Sequence, residues 1–248
     1  MQETLQLIKD KFQLIKDKGW IESKRKGNTG VGYTLERLFE IEENNFEIPD
    51  FIIFELKTHL SYPESYITLF NATPDGDYLF EIEHLKEKYG YPDKTFKQYK
   101  VLNCDLFSKQ INNLGRSFKQ TIKFDYNENK IRLHIMDNNL QLIDKEVSWS
   151  IELLKEKFER KLKYLAFVSA DKKFFNGKVY YKYNKITFYK SYSFGKFIEL
   201  LEKGKIRISL KIGVFKSGKN IGKTHDHGTS FSILEKDLCL LYEEISET

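Results

Sequence analysis

Cysteine is scarce in this chain of 248 residues. The two present, Cys104 and Cys239, lie far apart among apolar neighbours; they define no zinc site and read as reduced core residues. Long apolar runs are missing too, since none approaches the roughly 20 residues of a membrane-spanning helix. The chain opens on an amphipathic helical pattern instead of a signal sequence, so a bacterial cytoplasmic location without a membrane partner is expected. Proline is rare, and three of the four precede aspartate: Pro49-Asp50, Pro74-Asp75 and Pro92-Asp93. The last two sit in turn-like surroundings where the pair is ordinary punctuation. No repeat of solenoid length occurs, and the net charge of +5 with a pI near 8.8 is modest for a nucleic-acid binder.

What charge there is, however, is unevenly placed. From Lys196 to Lys223 eight basic residues face two acidic ones, whereas Glu235 to Glu247 carries five acids against one lysine. One face of the protein is therefore expected to be strongly positive. Aromatic residues make up 15% of the chain, chiefly Tyr and Phe, and are expected mostly in the core. The length suffices for one large domain or two lobes.

Ile48-Pro49-Asp50-Phe51-Ile52-Ile53-Phe54-Glu55-Leu56-Lys57 threads two carboxylates and an ammonium through an apolar, strand-like run. Desolvating a carboxylate without a partner costs several kcal/mol or more, so Asp50 and Glu55 in this company call for a cation, most simply a metal ion. In an extended strand Glu55 and Lys57 point to one face while Phe54 and Leu56 face the other. Other acid-x-Lys triplets, at Glu22-Ser23-Lys24, Glu128-Asn129-Lys130, Glu159-Arg160-Lys161 and Asp171-Lys172-Lys173, read as solvated surface. A structural ion pair would also produce such a cluster, which leaves a non-catalytic DNA-binding module open as an alternative.

Upstream, Lys24-Arg25-Lys26-Gly27-Asn28-Thr29-Gly30 forms a basic, glycine-containing loop, after which Val31, Leu35, Leu38 and Phe39 recur at helical spacing. A helix N-terminus behind such a loop suits a phosphate, because open backbone amides and the positive dipole end both favour an anion. Glu36 lies on that helix, either as a third acid near Asp50 and Glu55 or paired at the surface with Arg25 or Arg37.

These residues together resemble the MutH-like branch of the PD-(D/E)XK nucleases. The resemblance is carried by Lys26-Gly27, Gly30, Gly32, Leu35-Glu36, Pro49-Asp50 and Glu55-Leu56-Lys57, and it returns between Gly204 and Phe231. Within that branch, chain length and the short Asp-x4-Glu-x-Lys spacing are most similar to the MvaI-like restriction endonucleases. The resemblance implies a PD-(D/E)XK core and a magnesium-dependent type II restriction endonuclease. It also implies cutting of double-stranded DNA at CC(A/T)GG by a monomer, with a cognate DNA methyltransferase in the same system; a MutH-like repair nickase is the alternative. It makes Asp50 and Glu55 metal ligands, Lys57 the catalytic lysine and Glu36 an upstream acid near the metals. Magnesium prefers oxygen ligands, which brings in the Leu56 carbonyl as well.

The rest of the chain predicts a first helix over two near-identical heptads ended by Gly19, a strand at 66–70 and a helix at 79–89 closed by Gly90. Hairpins are expected at 122–135 and across Asn184-Lys185, with helices over 149–165 and from Ser193 to Gly204. The fold class is α/β, or α+β, with a central mixed sheet and two lobes around a DNA cleft: 1–145 catalytic, 146–248 DNA-reading, with the chain free to cross between them. In the tail, strict alternation puts Arg207, Ser209 and Lys211 on one exposed, basic strand face. Lys219 and His225-Asp226-His227 follow in a long loop. Arg and Lys can take guanine, His and Ser a purine N7, and Asp the cytosine amine, so these residues are expected to contact DNA along with Lys26. Alternate histidines could also bind zinc, but no third ligand is near in sequence. His59, His84 and His134 are expected to be structural.

Overall fold

The computed structural model describes residues 2–27, 29–40, 53–60, 65–115 and 117–245; Asp50 and the segment around it lie outside them. The chain is α+β and divides into two compact units. One comprises Met1–Ile67, Glu159–Tyr192 and Leu238–Thr248, the other Thr68–Phe158 and Ser193–Asp237. Each is assembled from separated segments, so a cut after residue 145 passes through the second unit.

The first unit is built on a mixed sheet in the order Ile21–Glu22, Lys178–Ser191, Tyr164–Phe175, Glu55–Leu60, with Tyr242–Glu244 also paired to Lys178–Ser191. Glu55–Leu60 runs parallel to Tyr164–Phe175, Glu55 opposite Leu165 and Lys57 opposite Phe167; the other pairings are antiparallel. The helix Gln2–Asp17 buries Ile8, Phe12 and Ile15, spaced to lie on one side of it, and ends at Gly19, whose φ of 66° a residue with a side chain rarely adopts. Those three join Val31 and Leu35 of the helix Gly30–Leu38 and Phe54, Leu56, Ala166, Val168, Tyr181 and Tyr183 in one core.

The hairpin expected across Asn184-Lys185 is not there. Lys178–Ser191 is one continuous strand, and the turn that precedes it is Asn176-Gly177, with φ of 48° and 76°. Two positive φ values mark the primed hairpin turn, which Asn-Gly favours because its twist matches that of the strands. Asn184 is taken up as a bulge, lying between the pairs Ser169–Lys185 and Ala170–Tyr183.

The second unit holds two sheets. The first runs Tyr66–Asn71, Ser230–Leu234, Ile206–Val214, Lys100–Leu106, Tyr91–Pro92, with Thr224–Asp226 added to Ile206–Val214. The second runs Ser148–Ser150, Lys130–Met136, Phe118–Asp125, Asn112–Leu114, with Leu142–Asp144 added to Lys130–Met136. The rings of Phe70, Phe197, Phe231 and Trp149 pack together, with Phe70 and Phe231 centred 5.1 Å apart, which puts these aromatics in the core as expected. Trp149 does not begin a helix. It is fully buried in a short strand and donates through Nε1 to the Ala72 carbonyl, 3.0 Å away. The helix starts at Ile151, where Ser150 Oγ accepts from the Leu153 amide. Ser193 caps the helix Phe194–Glu202 in the same manner, accepting from the Lys196 amide.

Both cysteines are free, but one lies at the surface. Cys239 is exposed, on the 3-10 turn Glu235–Leu240, a surface position that its apolar neighbours conceal. Cys104 is half-buried, and its thiol is pushed up to about 12 by loss of solvent.

Asp144 ties the second unit together. It accepts from Tyr89 Oη at 2.6 Å, Lys88 Nζ at 3.2 Å, His84 Nε2 at 3.3 Å and the Glu146 amide at 3.0 Å. Burial opposes its ionisation, but these donors outweigh it and hold the carboxyl at about 2. Because an unfolded aspartate titrates near 3.9, this stabilisation is complete above about pH 4 and fades as pH falls toward 2. Asp144→Asn is expected to lower stability by about 1–3 kcal/mol at neutral pH. It should also flatten the wild-type loss between pH 4 and 2, as read by denaturant unfolding across that range.

Candidate active site and nucleic-acid interface

Glu55 opens its strand directly after Phe54, whose fully buried ring lies 5.5 Å from Tyr164 and 5.4 Å from Phe188. That anchor holds the next residue at the edge of the core, and Glu55 is only 3% exposed. Its Oε1 accepts from Lys57 Nζ at 2.5 Å. Its Oε2 is buried with no hydrogen-bond partner among the described residues, and Lys161 Nζ stands 3.9 Å away. Tyr242 is buried nearby, its hydroxyl pushed well above the usual range, first by burial and then by the Glu55 charge. The structure thus brings Glu55 and Lys57 together as the strand period requires.

Lys161 joins them from the end of the helix Ile151–Lys161, although its triplet reads as surface in sequence. No local pattern signals this contact, because it joins residues more than a hundred positions apart. His59 shares the strand face of Glu55 and Lys57, its ring stacked on Phe167 at 4.7 Å and its Nδ1 3.0 Å from the Leu60 carbonyl.

The basic loop is folded tightly. Ser23 bonds by its amide to the Val179 carbonyl and by its hydroxyl to the Arg25 carbonyl, and the Lys24 amide donates to Thr34 Oγ1. Arg25 stacks on the Tyr33 ring at 3.8 Å, and Lys26 is exposed. Thr29 caps the helix Gly30–Leu38 without using its side chain. Glu36, half-buried on that helix, is close enough to Tyr183 for its charge to raise the hydroxyl pKa, after burial and Tyr181. A Cβ on Gly30 would sit 2.6 Å from the Arg25 carbonyl, so this position admits no side chain.

A hard divalent cation takes oxygen ligands. Glu55 Oε2, buried and without a hydrogen-bond partner among the described residues, fits one; the Leu56 carbonyl follows it, and Asp50 lies outside the described residues. Among the described residues no group of three or more His, Cys, Asp or Glu assembles as a metal cage. This applies equally to His225-Asp226-His227, where zinc would need further ligands.

In the second unit, Arg207, Ser209 and Lys211 do share a strand face, but it is less open than alternation implies. Ser209 is 1% exposed and donates to Asp105 Oδ1 at 2.5 Å. Arg207 is half-buried, with Nη1 3.3 Å from Asp105 Oδ2 and Nε 3.2 Å from Ser232 Oγ. Side chains of the neighbouring strands, Asp105 and Ser232, lie against Arg207 and Ser209; Lys211 remains exposed, as does Lys219. His225 stacks flat on Phe215 at 4.2 Å, and the His227 ring is 4.3 Å further on. The short strand Thr224–Asp226 is pinned by Lys86, a buried ammonium that donates to Thr224 Oγ1 at 2.7 Å and pairs with Glu87 at 3.1 Å.

The profile of the MvaI/BcnI restriction endonuclease family matches residues 9–242. Among solved structures, the chain is similar to restriction endonuclease MvaI in complex with its cognate DNA substrate, at 36% identity and a TM-score of 0.89 over 99% of this chain and 98% of that one. It is similar also to MvaI in the absence of DNA, at 35% identity and a TM-score of 0.63 over the same shares. No curated protein sequence matches it. Similarity to this family and to these structures over nearly the whole chain makes the protein a site-specific DNA endonuclease of the restriction class. It belongs to the MvaI/BcnI restriction endonuclease family.

Replacing Gly30 by Ala must displace the loop that packs on it. Gly30→Ala is expected to lower the single-turnover cleavage rate about tenfold or more, since small misplacements of positioning groups are costly, while thermal unfolding remains cooperative.

Proposed function

We propose that the chain is a type II restriction endonuclease that hydrolyses phosphodiester bonds of double-stranded DNA with magnesium, one strand at a time. The observation that carries this reading is the buried Glu55 carboxylate, with Lys57 on one oxygen and no hydrogen-bond partner among the described residues on the other, which Lys161 approaches to 3.9 Å. Likeness to an enzyme solved with its cognate DNA supports a duplex substrate. The family supports a short specific site, which we assign as CC(A/T)GG, cut by a monomer whose host DNA is protected by a cognate methyltransferase.

Glu55 and Asp50, with the Leu56 carbonyl, would hold the metal, and Glu36 would stand near it. The bound ion would polarise the scissile phosphate and acidify the attacking water. Lys57 is drawn from Glu55 Oε1 toward a phosphate oxygen as the substrate enters, and its compact ammonium donates there without displacing a ligand. Water gives up a proton and adds to phosphorus as the bond to the 3′ oxygen breaks, and the departing 3′ oxygen takes up a proton to leave as the hydroxyl. Lys161 keeps the Glu55 charge compensated before the ion arrives. Cutting is the task of the unit that holds Glu36, Glu55 and Lys57; reading is that of the unit with Arg207, Ser209, Lys211, Lys219, His225, Asp226 and His227, while Lys26 meets the backbone.

Asp50→Ala, Glu55→Gln and Lys57→Ala are each expected to reduce cleavage at least about a hundredfold while leaving duplex binding in calcium intact. Wild-type cleavage by Glu55→Gln would refute the site. With one active centre per monomer, a single-turnover course on supercoiled plasmid should show the nicked circle before the linear form; direct linearisation speaks against monomeric action.

A further inference from the structure

We infer that Asp105 is a positioning residue for sequence reading, so that the specificity surface extends from Ile206–Val214 onto the neighbouring strand Lys100–Leu106. The inference rests on the reading that Arg207 contacts bases. Antiparallel register sets Asp105 opposite Ser209 and Asn103 opposite Lys211. With side chains alternating along each strand, these four share one face with Arg207.

Asp105 divides its two oxygens between Ser209 and Arg207, and Arg207 spends its Nε on Ser232. The guanidinium is therefore held at two points by different strands, which fixes its plane. Bidentate capture of a guanine edge depends on that plane, because the planar fork matches the base only when the two are aligned. A guanidinium fixed beforehand also loses less freedom on binding than a free one.

A merely structural role fits Asp105 poorly. Its side chain is 48% exposed, and an ion pair so open to water contributes little to stability. A carboxylate on a face that meets DNA also repels phosphates, so its presence lowers non-specific attraction. The same face continues into a pocket of about 380 Å³ whose lining includes Asn103, Asp105, Gln120 and Lys211 beside Cys104 and Leu210. Gln120 is 1% exposed, and its Oε1 has no hydrogen-bond partner among the described residues, a buried acceptor at the edge of this surface.

The test compares Asp105→Asn, Asp105→Ala and Arg207→Ala on the duplex that the wild-type enzyme cuts and on a set carrying one altered base pair each. Cleavage rate and binding in calcium are both measured. For Asp105→Asn, discrimination at one base pair is expected to fall roughly ten- to a hundredfold, because the cognate duplex loses affinity and cleavage rate while the duplex altered at that pair changes little. That pair is the one at which Arg207→Ala loses discrimination, and Asp105→Ala should do the same. If Arg207→Ala loses discrimination and both Asp105 variants keep it, Asp105 does not position the arginine and the inference fails alone. If all three keep it, the base-reading assignment fails as well. A uniform loss over every duplex, with a lowered melting temperature, would mean a structural role and overturn the inference.

Discussion

The cost of keeping the Glu55 carboxylate out of water governs the first unit. A carboxylate so deeply buried must be compensated within a few ångströms, and the fold supplies Lys57 from the same strand and Lys161 from a helix end. Neither lysine bonds Oε2 directly. The arrangement leaves one buried oxygen without a hydrogen-bond partner among the described residues, a property that a fully closed ion pair would lack. Phe54, Tyr164 and Phe188 enforce it by packing the residue before Glu55 into the core, so the acid cannot swing into solvent.

The second unit meets a related demand with different means. Its polar side chains are locked to one another, across strands from Arg207 to Asp105 and Ser232 and from Ser209 to Asp105, and from helix to strand between Lys86 and Thr224. His225 is held against Phe215 by flat stacking. A surface that discriminates base pairs by hydrogen bonds benefits from groups whose directions are set in advance, because each wrong partner then leaves a donor or acceptor unmet. The net positive charge of this stretch adds attraction for phosphate without regard to sequence.

Much of both arrangements was legible in the chain. Glu55 and Lys57 are two apart in an apolar strand, and the strand period alone makes them neighbours. The caps at Ser193 and the stop at Gly19 follow from local backbone chemistry. Other features misled for physical reasons. Asn184-Lys185 looks like a turn between two apolar runs, but Asn176-Gly177 reaches positive φ at less cost and takes the hairpin, leaving Asn184 in a bulge. Trp149 fits a helical apolar pattern, yet its indole finds the Ala72 carbonyl from a strand. Cys239 has apolar neighbours in sequence and still faces solvent.

The sequence by itself determined what depends on residues within a turn or a strand pair of one another: which acid and lysine share a face, where Ser193 opens a helix and where Gly19 ends one. Tertiary structure alone decided that Lys161, taken for surface, stands beside Glu55, and that Asp105 governs Arg207 and Ser209. Both contacts span about a hundred residues or more. Charge type and spacing carry no record of such pairings, because they arise only when strand order and register bring distant side chains within a few ångströms.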